Sequence, residues 1–291
     1  ALEEKQEQAK SKILERELDW IRQTPKARMS KNKSRVAAYE KLVEETSQKK
    51  WHSTGNVFIK PGPRLGDLVV EAKGISKSFN DKVLFKNLSF RLSPGAIVGV
   101  IGPNGVGKST LFNIIAGLEE PDDGEIRLGS SVELAFVSQN REDQLNPDNT
   151  IYEEVSEGED VITYGNYSVN TRTYLAAFNF RGQSQNKYIG NISGGERNRV
   201  QLAKMLKRGA NLLLLDEPTN DLDVEVLRSL ETALLDFSGC AVIISHDRWF
   251  LDRIATHIIA FEGNGKVEVF DGNYSEYEAD KKRRSGSKHT E

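Results

Sequence analysis

The chain has 291 residues, of which 37% are hydrophobic and 29% charged, with a formal net charge of −3. That balance belongs to a globular protein with a sizeable core and excludes a disordered or fibrous chain. Apolar runs stop after four or five residues, as at Leu212–Leu215, so no segment offers the roughly 20 apolar residues of a membrane-spanning helix. The single cysteine, Cys240, excludes an internal disulfide or a zinc site of several thiolates, and suits a reducing, cytoplasmic setting.

The net charge hides a segregation. Residues 1–60 carry +5 and the remainder −8. Arg22, Lys26, Arg28, Lys31, Lys33 and Arg35 follow one another with no acid between Asp19 and Glu40. Such a block can neutralise nucleic-acid phosphates, or it can be a solvated helix face.

Residues 2–22 read as an amphipathic helix, with Leu14, Leu18 and Ile21 at helical spacing, broken by Pro25. A second helix is expected over residues 32–48, making a helical hairpin with the basic residues at its tip. The expected order is a basic α-helical hairpin arm over 1–60, a Pro/Gly linker over 61–66, a globular domain over 67–275 and a basic tail over 276–291.

Within the globular part, strands and helices alternate. Strands are expected at 96–101, 211–215 and 241–244, and helices at 108–118, 224–235 and 249–255. Because these strands are apolar throughout rather than alternating, they predict an α/β fold whose parallel sheet is covered on both faces.

Residues 102–109 read GPNGVGKS, directly after an apolar strand and before a helix. In this phosphate-binding pattern, Gly102, Gly105 and Gly107 let backbone N–H groups turn around phosphates at a helix N-terminus. Pro103, Asn104 and Val106 complete the loop, and Thr110 lies just behind it. Lys108 is placed to reach the outer phosphates and the Ser109 hydroxyl to ligate Mg²⁺. Residues 212–217, LLLLDE, supply the complementary half. Asp216 at the strand end would hold the metal through water, and Glu217 would polarise the attacking water as general base. The bland alternative is an acidic pair capping the next helix.

Ser193, Gly194, Gly195 and Glu196 form a second small-residue turn at a helix start. One phosphate loop already serves the domain's own nucleotide, so a second cradle implies a nucleotide held by another domain. The set of GPNGVGKS, ISGGE, LLLLDE and Ser245-His246-Asp247 resembles the ABC ATPases, with Ile192 where most members have Leu. The fold this implies is a RecA-like core with antiparallel β and helical subdomains.

The resemblance assigns further roles residue by residue. Gln139 would touch Mg²⁺ and sense the γ-phosphate. Residues 220–223, with Asp223, would be the loop facing a partner domain and its nucleotide. His246 would contact the γ-phosphate, and Phe79 would stack on adenine.

Only 86 residues separate Lys108 from Gly194, too few for the coiled coil of chromosome-structure ATPases. A transporter subunit with a separate membrane partner remains open on the ATPase motifs alone. The arm, the PGPRLGD linker and the ABC domain in this order resemble the second half of an ABC-F protein. That family implies an ATPase acting at the ribosome, its arm contacting ribosomal RNA and P-site tRNA in an ATP-gated way. Each ATP motif occurs once. The resemblance therefore implies a second ABC domain in a missing N-terminal half, or a head-to-tail homodimer, for full ATP hydrolysis.

Overall fold

A computed structural model describes residues 56–80, 82–137, 145–164 and 167–286. The two expected arm helices, the basic residues from Arg22 to Arg35, Gln139 and the last five residues lie outside the described residues. Everything described belongs to the unit Asn56–Glu291.

The central sheet has six strands in the order β11-β10-β3-β9-β8-β5. Its parallel part comprises β3 (Ile97–Ile101), β5 (Leu134–Val137), β8 (Leu212–Asp216), β9 (Cys240–Ile244) and β10 (His257–Gly263). Strand β11 (Lys266–Asp271) closes one edge antiparallel to β10. The reason β8 and β9 are apolar at successive positions is visible in their packing. Leu213, Leu215, Ala241 and Ile243 face one core, while Leu212, Leu214, Val242 and Ile244 face a second core across the sheet.

The second core is closed by helix α1 (Lys108–Ile115), through Leu111, Phe112, Ile114 and Ile115. A three-stranded antiparallel sheet, β2-β1-β4, packs with it: β1 is Val70–Phe79, β2 Lys82–Leu92 and β4 Asp123–Leu128. Helix α1 stops three residues short of the expected Leu118. Gly117 adopts φ +71°, and the N–H groups of Gly117 and Leu118 return to Ile114 and Asn113. Leu118 itself is 69% exposed, so no packing draws the helix further.

The first core extends into a helical region. It contains α2 (Ile151–Ser156), the hairpin β6–β7 (Val161–Tyr164, Tyr167–Asn170), α3 (Thr171–Ala176) and two 3-10 turns (Gly182–Asn186, Ile189–Asn191). Helices α4 (Gly194–Leu206), α5 (Val224–Asp236) and α6 (Arg248–Ile254) complete it. Lys204 joins α4 to α2 through Glu154 at 2.5 Å, with Glu154 almost wholly buried.

Two segments depart from the sequence expectation. Residues 57–63, expected as arm end and linker, are sewn onto the domain. Val57 and Ile59 are buried in the first core, Lys60 N–H donates to the Leu206 carbonyl, and Asn211 Nδ2 donates to the Pro63 carbonyl. Residues 276–286, expected as a basic tail, continue helix α7 (Tyr274–Gly286). Tyr277 on that helix is 1% exposed and packs with Ala255, Ile258 and Ala260. Arg284 is engaged by Asp280, Glu262 and Glu268, so the basic run Lys281, Lys282, Arg283 and Arg284 is partly neutralised within the fold.

Candidate nucleotide site

In a parallel sheet the C-terminal strand ends share one edge, and whatever follows them converges there. The phosphate-loop sequence follows β3, Asp216 and Glu217 end β8, and His246 follows β9, which lies between them. Positions more than a hundred residues apart in sequence are thereby brought into contact.

The loop after β3 requires glycine at Gly102. Its φ is +146°, and a Cβ there would lie 2.7 Å from the Cβ of Phe261 and 2.8 Å from that residue's carbonyl oxygen. Gly107 precedes α1 in a left-handed conformation, and no side chain caps the helix start. The first N–H groups of α1 are therefore left to an anion rather than to a side-chain oxygen.

Lys108 is buried, and its ammonium donates to the carbonyls of Gly102 at 2.5 Å and Pro103 at 3.0 Å. Burial pulls its pKa below the ordinary lysine value, against the opposing charges of Glu217 and Asp216. Ser109 Oγ lies 3.4 Å from Asp216 Oδ2. Pro103, Asn104 and Gly105 are exposed, while Val106 and Thr110 are half-buried.

Glu217 sits in the left-handed region at φ +50°, an uncommon place for a residue with a Cβ. Its N–H donates to the Ile244 carbonyl, which pins the turn against β9. Oε2 accepts from the His246 backbone N–H at 3.2 Å, and Oε1 lies 3.4 Å from His246 Nε2. Burial raises the Glu217 pKa, with the His246 contacts and Lys108 acting against that rise. A carboxyl so placed holds a proton more readily than an exposed glutamate, which suits proton transfer.

Phe79 ends β1 with 47% of its surface exposed. Lys77, two residues earlier, lies 5.3 Å from the Phe79 ring centroid and is paired with Glu119 at 2.6 Å and Asp122 at 3.1 Å. Lys82 was not singled out by sequence, yet its ammonium donates to the Gly105 carbonyl at 2.7 Å. Only the β1–β2 hairpin brings it there, and no local pattern signals it.

Ser193 caps α4 in a reciprocal box: its Oγ accepts from Glu196 N–H, and Glu196 Oε2 accepts from Ser193 N–H. Lys187 holds the other Glu196 oxygen at 2.9 Å. Gly194 is exposed, whereas Gly195 lies so close to Asp221 that a Cβ would come within 2.8 Å of the Asp221 Cβ. Among the described residues, none of these hydrogen bonds reaches the loop at 102–110. The Asp223 carboxylate accepts from Val226 N–H and Asn179 Nδ2, both at 2.9 Å, as the cap of α5.

The donor set fits a nucleoside triphosphate with Mg²⁺. The uncapped helix start and Lys108 suit phosphate, and the hydroxyl and carboxylate of Ser109 and Asp216 suit a hard cation. Among the described residues, no group of three or more His, Cys, Asp or Glu could hold a metal by itself. Mg²⁺ held by Ser109 and Asp216 would complete its shell with phosphate oxygens and water, as is usual for that ion.

Residues 85–220 match the model of the ABC transporter family. The chain is 54% identical over 287 residues to the energy-dependent translational throttle protein EttA of Escherichia coli strain K12, an alignment covering 99% of this chain and 51% of that protein. The Mycobacterium tuberculosis H37Rv protein of the same name is 50% identical over 279 residues, covering 94% and 50%. The chain thus spans about half the length of the curated relatives it matches. Among solved structures, an RNase-L inhibitor shares the fold at TM-score 0.57 and 26% identity, over 71% of this chain and 40% of that one. CbiO1 of Clostridium perfringens shares it at TM-score 0.55 and 22% identity, over 77% and 96%. No described helix is long and apolar enough to cross a membrane. Fold, motif order and family model agree on an ABC ATPase domain, in a chain similar over nearly its whole length to the translational throttle proteins.

Proposed function

We propose that this chain binds and hydrolyses ATP as part of a cytoplasmic ABC-F protein that acts on the ribosome. The observation that carries the reading is the 54% identity to a translational throttle protein over 99% of the chain, the basic N-terminal segment included. The net-negative remainder of the chain repels a nucleic-acid backbone, so RNA contact falls to Arg22, Lys26, Arg28, Lys31, Lys33 and Arg35.

In this reading, backbone N–H groups of residues 102–110 and the Lys108 ammonium hold the β- and γ-phosphates. Ser109, Asp216 and Gln139 hold Mg²⁺, which neutralises developing phosphate charge when bound. Glu217 takes the proton of the attacking water, His246 contacts the γ-phosphate, and Phe79 stacks on adenine. Ser193, Gly194 and Gly195 serve ATP bound by an opposing ABC domain, with Glu196 and Asp223 bracing the loops at that surface. That domain comes from the other half of the protein or from a second copy packed head to tail. ATP draws the domains together and fixes the arm against ribosomal RNA and P-site tRNA; hydrolysis releases it.

The test is ribosome co-pelleting of the Glu217→Gln chain, alone and joined to its other half, with and without ATP. ATP-dependent pelleting of the joined protein is expected. Absence of pelleting with ATP binding intact would favour a transporter ATPase with a membrane partner.

A further inference from the structure

Resting on the assignment of Glu217 and His246 to one nucleotide site, we infer that Asn104 is a positioning residue that holds the His246 ring off Glu217. The His246 side chain is 57% exposed, so packing does not fix its ring. Two oxygens face its Nε2: Asn104 Oδ1 at 3.1 Å and Glu217 Oε1 at 3.4 Å. Two acceptors at one ring nitrogen place the proton there, leaving Nδ1 with its lone pair in the neutral ring.

That proton goes to only one of them. Asn104 makes the hydrogen bond, while Glu217 Oε1, buried as it is, accepts none from the described residues. The other Glu217 oxygen is already taken by the His246 backbone N–H. Oε1 is therefore the one oxygen left to accept a proton from a water, which is what a general base needs. Strand geometry and the left-handed backbone at Glu217 hold the carboxylate in place whatever the ring does. Without the Asn104 amide, the nearest acceptor left to Nε2–H among the described residues is Oε1 itself, 3.4 Å away. A ring bonded there would occupy the lone pair that the reaction uses.

Asn104 thus does through its side chain something separate from the phosphate loop's backbone. It ties the loop after β3 to the residue after β9 and decides where His246 donates.

The experiment combines ¹⁵N spectroscopy of the histidine rings with steady-state kinetics on the chain joined to its other half. His246→Gln assigns the ring signals. A protonated Nε2 is expected in the parent, shifted in Asn104→Ala and restored towards the parent in Asn104→Asp, which keeps an oxygen at that place. In Asn104→Ala, kcat should fall about tenfold with KM for MgATP nearly unchanged, since the backbone cradle is intact. Identical His246 ring signals in parent and Asn104→Ala would overturn the inference, as would a rise in KM at unchanged kcat. A parent that binds no ATP would instead overturn the nucleotide assignment, and the ring signals would still decide whether Asn104 positions His246.

Discussion

Glu217 and His246 are joined backbone to side chain: the His246 N–H donates to Glu217 Oε2 at 3.2 Å, across the junction of two neighbouring parallel strands. This bond uses a main-chain donor, so it survives any change of the histidine ring. It makes the carboxylate's position a property of the sheet, and leaves the imidazole free to answer to Asn104.

Glu217→Gln keeps size and hydrogen-bond geometry but cannot take a proton. Phosphate release should fall by about a hundredfold or more, while nucleotide titration shows binding retained. Turnover at the parental rate would remove Glu217 from the role of base.

Asn211 is buried where the segment before the domain crosses the start of β8. Its Nδ2 donates to the carbonyls of Pro63 and Ser131, and its Oδ1 accepts from Glu133 N–H. Asn211→Ala should cost about 3 kcal/mol in urea unfolding, because three backbone groups lose their partner together. A cost near zero would mean water replaces the amide.

Ile59 lies in the same crossing segment and is buried in the first core. Ile59→Ala should cost about 3 kcal/mol by calorimetry or denaturant. A chain beginning at Asp67 should accordingly unfold earlier than one beginning at Asn56, and equal midpoints would show the segment to be dispensable.

Ser193→Ala removes the cap of α4 and half of its reciprocal box. The loss should be about 1 kcal/mol of stability, and Ser193→Thr, which retains the oxygen, should recover most of it. The comparison separates capping from any contact with nucleotide.

Burial lowers the His257 pKa from 6.5, with Asp271 opposing. The unfolded chain therefore takes up a proton that the folded chain resists. The contribution to stability is full above about pH 6.5 and is lost as pH falls from there through the lower folded value. His257→Asn should flatten this part of the melting-temperature profile, and an unchanged slope would assign it to other groups.

The phosphate loop, the aspartate–glutamate pair and the strands behind them were legible in sequence because each rests on local chemistry. Glycines at 102, 105 and 107 answer to backbone angles, and apolar runs at 212–215 and 241–244 answer to burial on two faces. Ser193 was legible as the start of a helix for the same reason, whereas the return contact from Glu196 was not singled out. The first two antiparallel strands were not, since their burial alternates irregularly through register shifts at residues 72–78. The terminal helix looked like a tail because its charged residues outnumber the one tyrosine that anchors it. Asp223, expected at a partner's nucleotide, also caps α5, a local use that the motif does not signal.

By itself, then, the sequence determined which residue types stand at strand ends and helix starts, since these depend on neighbours a few positions away. The tertiary structure decided which of them meet. The order β3-β9-β8 sets His246 between the phosphate loop and Glu217, and the β1–β2 hairpin sends Lys82 to the Gly105 carbonyl. Packing likewise draws Val57 and Ile59, expected in the arm, into the core. The physical reason is that strand pairing and burial join segments far apart in the chain, and no pattern within one segment records its partner.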